Sequence, residues 1–150
     1  MVEEDFDRVA DINFKGAFFT LQRVAAANDG ASVVLITSVG NQLGLPGMAV
    51  YSATKAALRS LARTGSAELL ARGIRVNVLS PGPIDTGMLG RVGLSEADAE
   101  GMRNYIRKSH PMGRFAEPQE MAKAVAFLAS SDSSFVAGAE LSAGGGMGDL

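Results

Sequence analysis

The sequence of 150 residues contains no cysteine and only one histidine. Without cysteine there can be no disulfide, thiolate zinc site or cysteine nucleophile. A cysteine-free chain suits a reducing compartment, so we expect a cytoplasmic protein. The single histidine, His110, has no cysteine or second histidine beside which it could bind a metal. We therefore predict no metal site and interpret His110 as a loop residue.

Excess charge and long apolar runs are also missing. Lysine and arginine number 14 against 16 aspartate and glutamate, and no basic stripe is present, which argues against a nucleic-acid partner. No apolar run approaches the roughly 18 residues of a membrane helix. The acidic start, MVEEDFDRVADINF, lacks the apolar core of a signal peptide. With 47% hydrophobic and 20% charged residues, the composition indicates one globular domain over residues 1–150.

The apolar residues follow helical and strand periods in alternation. SVVLIT is a continuous apolar run rich in β-branched residues, so we expect a strand buried on both faces. Alternation of this kind predicts parallel strands with helices packed on them. The predicted helices cover 3–27, 49–72, a stretch starting at 94–100 with Ser95 as its cap, and 117–130 with Pro118 at its first position. The predicted strands cover 32–37, 74–80 and 139–143. Three strands are about half the sheet of a doubly wound fold.

Tyr51 and Lys55 stand four residues apart and share one face of the second long helix. An ammonium beside a phenol favours the phenolate, which makes the phenol a usable proton donor and acceptor near neutral pH. Alone the pair is a weak signal, because the same spacing occurs on the solvated face of many helices. Ser38, however, ends a strand thirteen residues earlier, and such ends face the ligand crevice. Asn13 lies near Gly16 within a helix, where a break would free a carbonyl for water or a lysine.

Five segments carry a family resemblance by their order and spacing along the chain, namely DINFKGAFF, VVLITS, YSATKAAL, RVNVLSPGPIDTGM and FVAGAELSAGGG. Together they span nearly the whole chain and resemble the short-chain dehydrogenase/reductase family, including reductases of the 3-oxoacyl-carrier-protein type. The resemblance implies that Tyr51 is the general acid/base and that Lys55 assists it and binds the nicotinamide ribose. It implies that Ser38 orients the substrate carbonyl and that Asn13 helps to hold a water that relays protons.

The resemblance also implies a cofactor, a substrate class and an assembly. NAD or NADP would contact the turn formed by Pro81 and Gly82, the backbone of Ile84 and the hydroxyl of Thr86. The substrate would be a small carbonyl compound or alcohol beneath a lid formed by residues 88–115. A ketoacyl thioester, a sugar lactol and a small ketone all remain open. We expect a homo-oligomer through the helices at 3–27 and 49–72. Their alanine-rich faces would pack closely, and they include Ala53, Ala56, Ala57 and Ala62.

Two segments of the family pattern are missing from the sequence. It contains neither a Thr-Gly-x-x-x-Gly-x-Gly phosphate loop nor an Asn-Asn-Ala-Gly turn, and Gly144 stands where relatives commonly carry aspartate. The chain therefore resembles the C-terminal half of the family's domain, a partial Rossmann fold without the phosphate-binding half. Two interpretations stay open: an NAD(P)-dependent carbonyl reductase or alcohol dehydrogenase, and a truncated, non-catalytic chain that serves only in assembly.

Overall fold

Three parallel strands form the centre of the fold in the computed structural model, which describes residues 1–87 and 95–150. They are β1 (Ser32–Ile36), β2 (Arg75–Pro81) and β3 (Glu140–Ala143), in the order β1-β2-β3. Ser32 pairs with Arg75 in the first ladder, and Val78 pairs with Glu140 in the second. The predicted partial doubly wound fold with three parallel strands is confirmed.

The helices follow the predicted periods closely. They are α1 (Glu3–Ala10), α2 (Gly16–Ala27), α3 (Ala49–Leu69), α4 (Glu96–Ser109) and α5 (Pro118–Ala129). The predicted helix over 3–27 is interrupted by a π-helical turn over Asp11–Lys15, in which the Gly16 N–H donates to the Asp11 carbonyl. A Cβ at Gly16 would lie 3.2 Å from that oxygen, so a glycine suits the wide turn.

The predicted helix over 49–72 ends its α-helical part at Leu69. A 3₁₀ turn over Leu70–Arg72 then leads to Gly73, whose φ of 70° stops the helix as only glycine does easily. At α4, Ser95 accepts the Asp98 N–H, as predicted for a helix cap. Residue 94, with which that predicted segment starts, lies outside the described residues.

Helices pack on both faces of the sheet. On one face α2 and α3 cover the inward side chains of β2, and the buried cluster comprises Leu21, Ala25, Leu35, Leu58, Ala62, Ile74, Val76 and Val78. On the other face α5 is tied to β1 by a 2.7 Å hydrogen bond from the Ser32 hydroxyl to the Leu128 carbonyl. None of the described helices is long and apolar enough to cross a membrane.

The first strand is less buried than its sequence predicts. β1 pairs only with β2 among the described residues, so it lies at an edge of the sheet. Leu35 is buried, but the Ile36 side chain is 44% exposed. The prediction that SVVLIT is buried on both faces is therefore wrong, because an apolar sequence gives a strand only as much cover as its neighbours supply.

Candidate active site

Lys55 joins helix α3 to the carboxyl end of β1. Its Nζ lies 5.6 Å from the centroid of the Tyr51 ring and donates a 3.1 Å hydrogen bond to the carbonyl of Ile36, the last residue of that strand. Burial lowers the pKa of the Lys55 ammonium below its usual 10.5, because partial desolvation disfavours the charged form. Tyr51 and Lys55 therefore stand together at the strand end that precedes Ser38.

Ser38 lies between β1 and α3 and begins a 3₁₀ turn over Val39–Asn41. Its Oγ accepts the Gly40 N–H at 3.1 Å, which leaves the hydroxyl proton available for another acceptor. A Cβ at Gly40 would lie 3.4 Å from both the Ser38 and the Ser52 hydroxyl oxygens. The glycine thus brings the Ser38 turn against the first turn of α3, next to Tyr51.

Asn13 lies in the π-helical turn, half-buried, and contacts α3. Its side-chain amide donates to the Thr54 hydroxyl at 3.3 Å, and that hydroxyl donates to the Tyr51 carbonyl at 2.7 Å. The π-helical turn disrupts the helix at Asn13, as predicted. However, the carbonyl that accepts the Lys55 ammonium is that of Ile36 and not one freed by this turn. The water-holding role of Asn13 stays a prediction.

The turn after β2 packs closely against the end of β3. Pro81 is buried as the last residue of β2, and the Gly82 N–H donates to the Ala143 carbonyl at 3.2 Å. A Cβ at Gly82 would lie 2.9 Å from the carbonyl oxygen of Gly144. Position 82 therefore has no room for a side chain, whatever ligand the turn binds.

Ile84 directs its own N–H and C=O away from the segment with which it pairs. It forms an isolated parallel bridge with Ala116, in which the Pro83 carbonyl accepts the Ala116 N–H and the Ala116 carbonyl accepts the Asp85 N–H, both at 2.9 Å. The N–H and C=O of Ile84 itself face the other side and bond to nothing within residues 1–87 and 95–150. Thr86 is exposed, and within the same ranges its hydroxyl makes no hydrogen bond to the catalytic candidates.

Sequence reasoning missed a cluster of polar side chains beneath Ser38, in which Thr37, Ser80 and the Glu140 carboxylate are buried and Arg59 reaches the surface. Its members are Thr37, Asn41, Arg59, Ser80 and Glu140, joined by hydrogen bonds and one ion pair. Two signals were present in the sequence: Arg59 continues the four-residue spacing of Tyr51 and Lys55, and Glu140 is an acid in a strand of otherwise uncharged residues.

His110 is buried, unlike most loop residues, and directly follows α4. Its Nδ1 accepts the Met112 N–H at 3.2 Å. It borders a cavity of about 240 Å³ that also touches Pro83 and Gly144, away from Ser38 and Tyr51. Within the described ranges, no three acidic or histidine side chains gather as metal ligands would. Of the predicted lid, residues 88–94 lie outside the described residues.

Known proteins are similar to this chain over nearly its whole length. A family model described as enoyl-(acyl carrier protein) reductase matches residues 1–148. Oxidoreductase asL5 of Sarocladium schorii is 39% identical, and the 3-oxoacyl-[acyl-carrier-protein] reductase FabG of Thermotoga maritima is 37% identical. Each alignment spans 150 residues, 98% of this chain and 58% of the relative. The chain thus spans about three fifths of the length of these curated relatives.

A solved structure has a similar fold and is likewise matched over part of its length. The ligand-free aldohexose dehydrogenase of Thermoplasma acidophilum is similar with a TM-score of 0.89 and 29% identity. The match covers 98% of this chain and 60% of that one.

Proposed function

The chain belongs to the short-chain dehydrogenase/reductase family, and from that membership we propose that it carries the catalytic half of an oxidoreductase that interconverts a carbonyl and an alcohol with NAD or NADP. The main support is the position of Lys55. Its ammonium stands 5.6 Å from the Tyr51 ring and is held by the Ile36 carbonyl, two residues before Ser38. A phenol, a cation and a hydroxyl at one strand end suit proton transfer to a carbonyl oxygen.

The residues fit the nicotinamide end of the cofactor. A carboxamide carries one acceptor oxygen and two donor hydrogens, and the outward N–H and C=O of Ile84 match them. The Pro81–Gly82 turn would support this contact, while the Thr86 hydroxyl and the Lys55 ammonium would bind the carboxamide and the ribose. When bound, the nicotinamide supplies or accepts the hydride.

The side chains supply the proton chemistry. During reduction, the Tyr51 hydroxyl donates its proton to the carbonyl oxygen, and the nearby ammonium of Lys55 stabilises the phenolate that remains. The Ser38 hydroxyl donates a hydrogen bond to the same oxygen and orients it. Asn13, through Thr54, keeps the first turns of α3 in place and would hold the water that returns a proton toward Lys55.

A 3-oxoacyl thioester is the first substrate that we propose. FabG of Thermotoga maritima is named for reduction of such a thioester, and a rat relative, 34% identical, is named a (3R)-3-hydroxyacyl-CoA dehydrogenase. An aldohexose is the second, after the similar structure from Thermoplasma acidophilum. The compartment that we propose remains the cytoplasm, on the grounds of the cysteine-free composition.

Cofactor titration and turnover test the proposal together. Binding of NADH and NADPH is followed by the fluorescence of the nicotinamide, and turnover by its absorbance with each substrate. Tyr51→Phe should lower kcat by about a hundredfold or more, since it removes the general acid. Ser134→Ala is the control, because it removes an exposed hydroxyl that lies outside the candidate site and the predicted lid, and it should retain kcat. Equal kcat in Tyr51→Phe and the wild type would contradict the assignment of Tyr51.

An exposed apolar groove supports the second candidate function, assembly without catalysis. Phe14, Phe18 and Leu61 border it between α2 and α3, and Phe18 is 39% exposed. Ala53 and Ala56 are exposed on α3 and available for close helix packing, but Ala62 is wholly buried in the core and cannot contribute to such a contact. A folded chain that binds neither cofactor and turns over no substrate would favour this candidate. A monodisperse monomer in sedimentation would contradict it.

A further inference from the structure

A buried carboxylate binds donors from three different elements of the fold. The Glu140 side chain, at the start of β3, is only 8% exposed. Its Oε1 accepts the Asn41 side-chain amide at 2.6 Å and the Ser80 hydroxyl at 2.8 Å. Its Oε2 forms an ion pair with Arg59 Nε at 2.5 Å. A loop, strand β2 and helix α3 therefore converge on one side chain.

The loop that Glu140 holds is the turn that carries Ser38. Asn41 ends that turn, and its N–H donates to the Ser38 carbonyl at 2.9 Å. Thr37, directly before Ser38, is buried, and its hydroxyl lies 2.8 Å from the Ser80 hydroxyl and 3.3 Å from the Asn41 side-chain nitrogen. Residues on both sides of Ser38 are thus anchored to the same cluster.

The helix that Glu140 holds is the one that carries Tyr51 and Lys55. Arg59 follows Lys55 by four residues and Tyr51 by eight, so all three lie along one face of α3. With a rise of about 1.5 Å per residue, Arg59 anchors this face about 12 Å from Tyr51. A stiff helix fixed at Arg59 and again at Lys55 has a set rotation and axial position relative to β1.

We propose that Glu140 is a positioning residue that holds the Ser38 turn and the Tyr51–Lys55 face of α3 in one relative placement. The catalytic meaning of that placement rests on the proposed function. A buried carboxylate that loses a donor is strongly disfavoured, so few arrangements of the cluster satisfy it. An apolar group of similar size would fill the space, but it would tolerate many small shifts of the turn against the helix.

Exchange of donor and acceptor tests the proposal. Asn41→Asp sets a second carboxylate against Glu140 Oε1, whereas Asn41→Asp with Glu140→Gln restores one donor and one acceptor. Amide hydrogen exchange at Gly40, whose N–H binds Ser38 Oγ, reports the order of the turn without any substrate. We expect Asn41→Asp to speed this exchange about tenfold or more and to lower kcat by a similar factor, with little change in the KM for the nicotinamide. The double variant should return both values to near wild type.

Two further variants make the outcome unambiguous. Glu140→Gln alone keeps the size of the side chain and should also speed Gly40 exchange, which covers the case in which Asn41→Asp does not fold. Asp29→Asn, the control, breaks the exposed 2.8 Å pair with Arg72 and should change neither readout. A cluster that only stabilised the fold would lower the unfolding midpoint without altering kcat of the folded protein.

Three results would overturn the proposal: unchanged Gly40 exchange in folded Asn41→Asp or Glu140→Gln, a lower unfolding midpoint with unaltered kcat, or additive effects of the two substitutions in the double variant. A wild-type chain without turnover would contradict the proposed function alone, because the exchange measurement requires no reaction.

Discussion

Replacement of Gly82 by alanine tests the close packing beneath the proposed nicotinamide turn. The added Cβ would lie 2.9 Å from the carbonyl oxygen of Gly144, 3.0 Å from its Cα and 3.2 Å from its carbonyl carbon. All three are backbone atoms, so no rotamer change can relieve the contact. The end of β3 must move away from β2, which strains the 3.2 Å hydrogen bond from the Gly82 N–H to the Ala143 carbonyl.

The expected loss in the free energy of unfolding follows from the overpacking that the added methyl group causes at position 82. Such insertions destabilise proteins by about 1–3 kcal/mol. In a chain of this size each kcal/mol lowers the melting temperature by about 2–4 °C. Urea unfolding followed by circular dichroism should show a lower midpoint with an unchanged slope, since the surface exposed on unfolding stays the same. Because the turn leads directly to Ile84, we also expect weaker binding of the nicotinamide.

Gly44→Ala is the matched control for this prediction. Nothing lies within 4 Å of the Cβ that it would add, and its φ is outside the left-handed region. Alanine there should be neutral or stabilise the fold by about 0.4–1 kcal/mol, since it restricts the unfolded chain. Equal urea midpoints for Gly82→Ala and Gly44→Ala would refute the packing explanation.

Two pH-dependent predictions concern charged side chains. Burial lowers the pKa of Lys55 in the folded chain, so the unfolded chain binds more protons than the folded chain as the pH approaches 10.5. The stability of the wild type relative to Lys55→Met should therefore rise as the pH approaches 10.5. Urea midpoints of the two proteins that differ by a constant amount from about pH 7 to 10 would contradict this prediction. Arg114 and the Glu117 N–H hold the pKa of the Glu120 carboxyl at about 2, against its usual 4.5. The advantage of the wild type over Glu120→Gln should thus be complete above pH 4.5 and disappear as the pH falls toward 2, and an advantage that persists in full at pH 2 would exclude this ion pair as its source.

Residue patterns along the chain were sufficient for much of the fold. The helical period and the capping residues Ser95 and Pro118 located the helices, because these signals are local. The 44% exposure of the Ile36 side chain has no local signal, since it depends on which elements pack around the end of β1. The burial of Ala62 in the core, and not on an interface, likewise depends on how α3 is rotated against β2.

In the candidate site, the side chains were predicted from the sequence, whereas the backbone groups that they contact were not. Tyr51, Lys55 and Ser38 were identified from spacing and family resemblance, and their neighbours in the structure agree with a shared strand end. The partner of Lys55, the Ile36 carbonyl, carries no sequence signal, because every residue has a carbonyl group. The same holds for the outward backbone of Ile84, which is defined by its bridge to Ala116.

The sequence by itself determined the family, the order of the elements and the chemical groups available for proton transfer. These follow from residue identity and from spacings of four to thirteen positions, which local geometry translates directly into helix faces and strand ends. Only the tertiary structure decided that Glu140, 85 residues beyond Lys55 in the sequence, binds Arg59 on the helix and Asn41 in the Ser38 turn. Contacts between distant residues depend on how the strands stack and the helices rotate, and neither appears in a linear pattern.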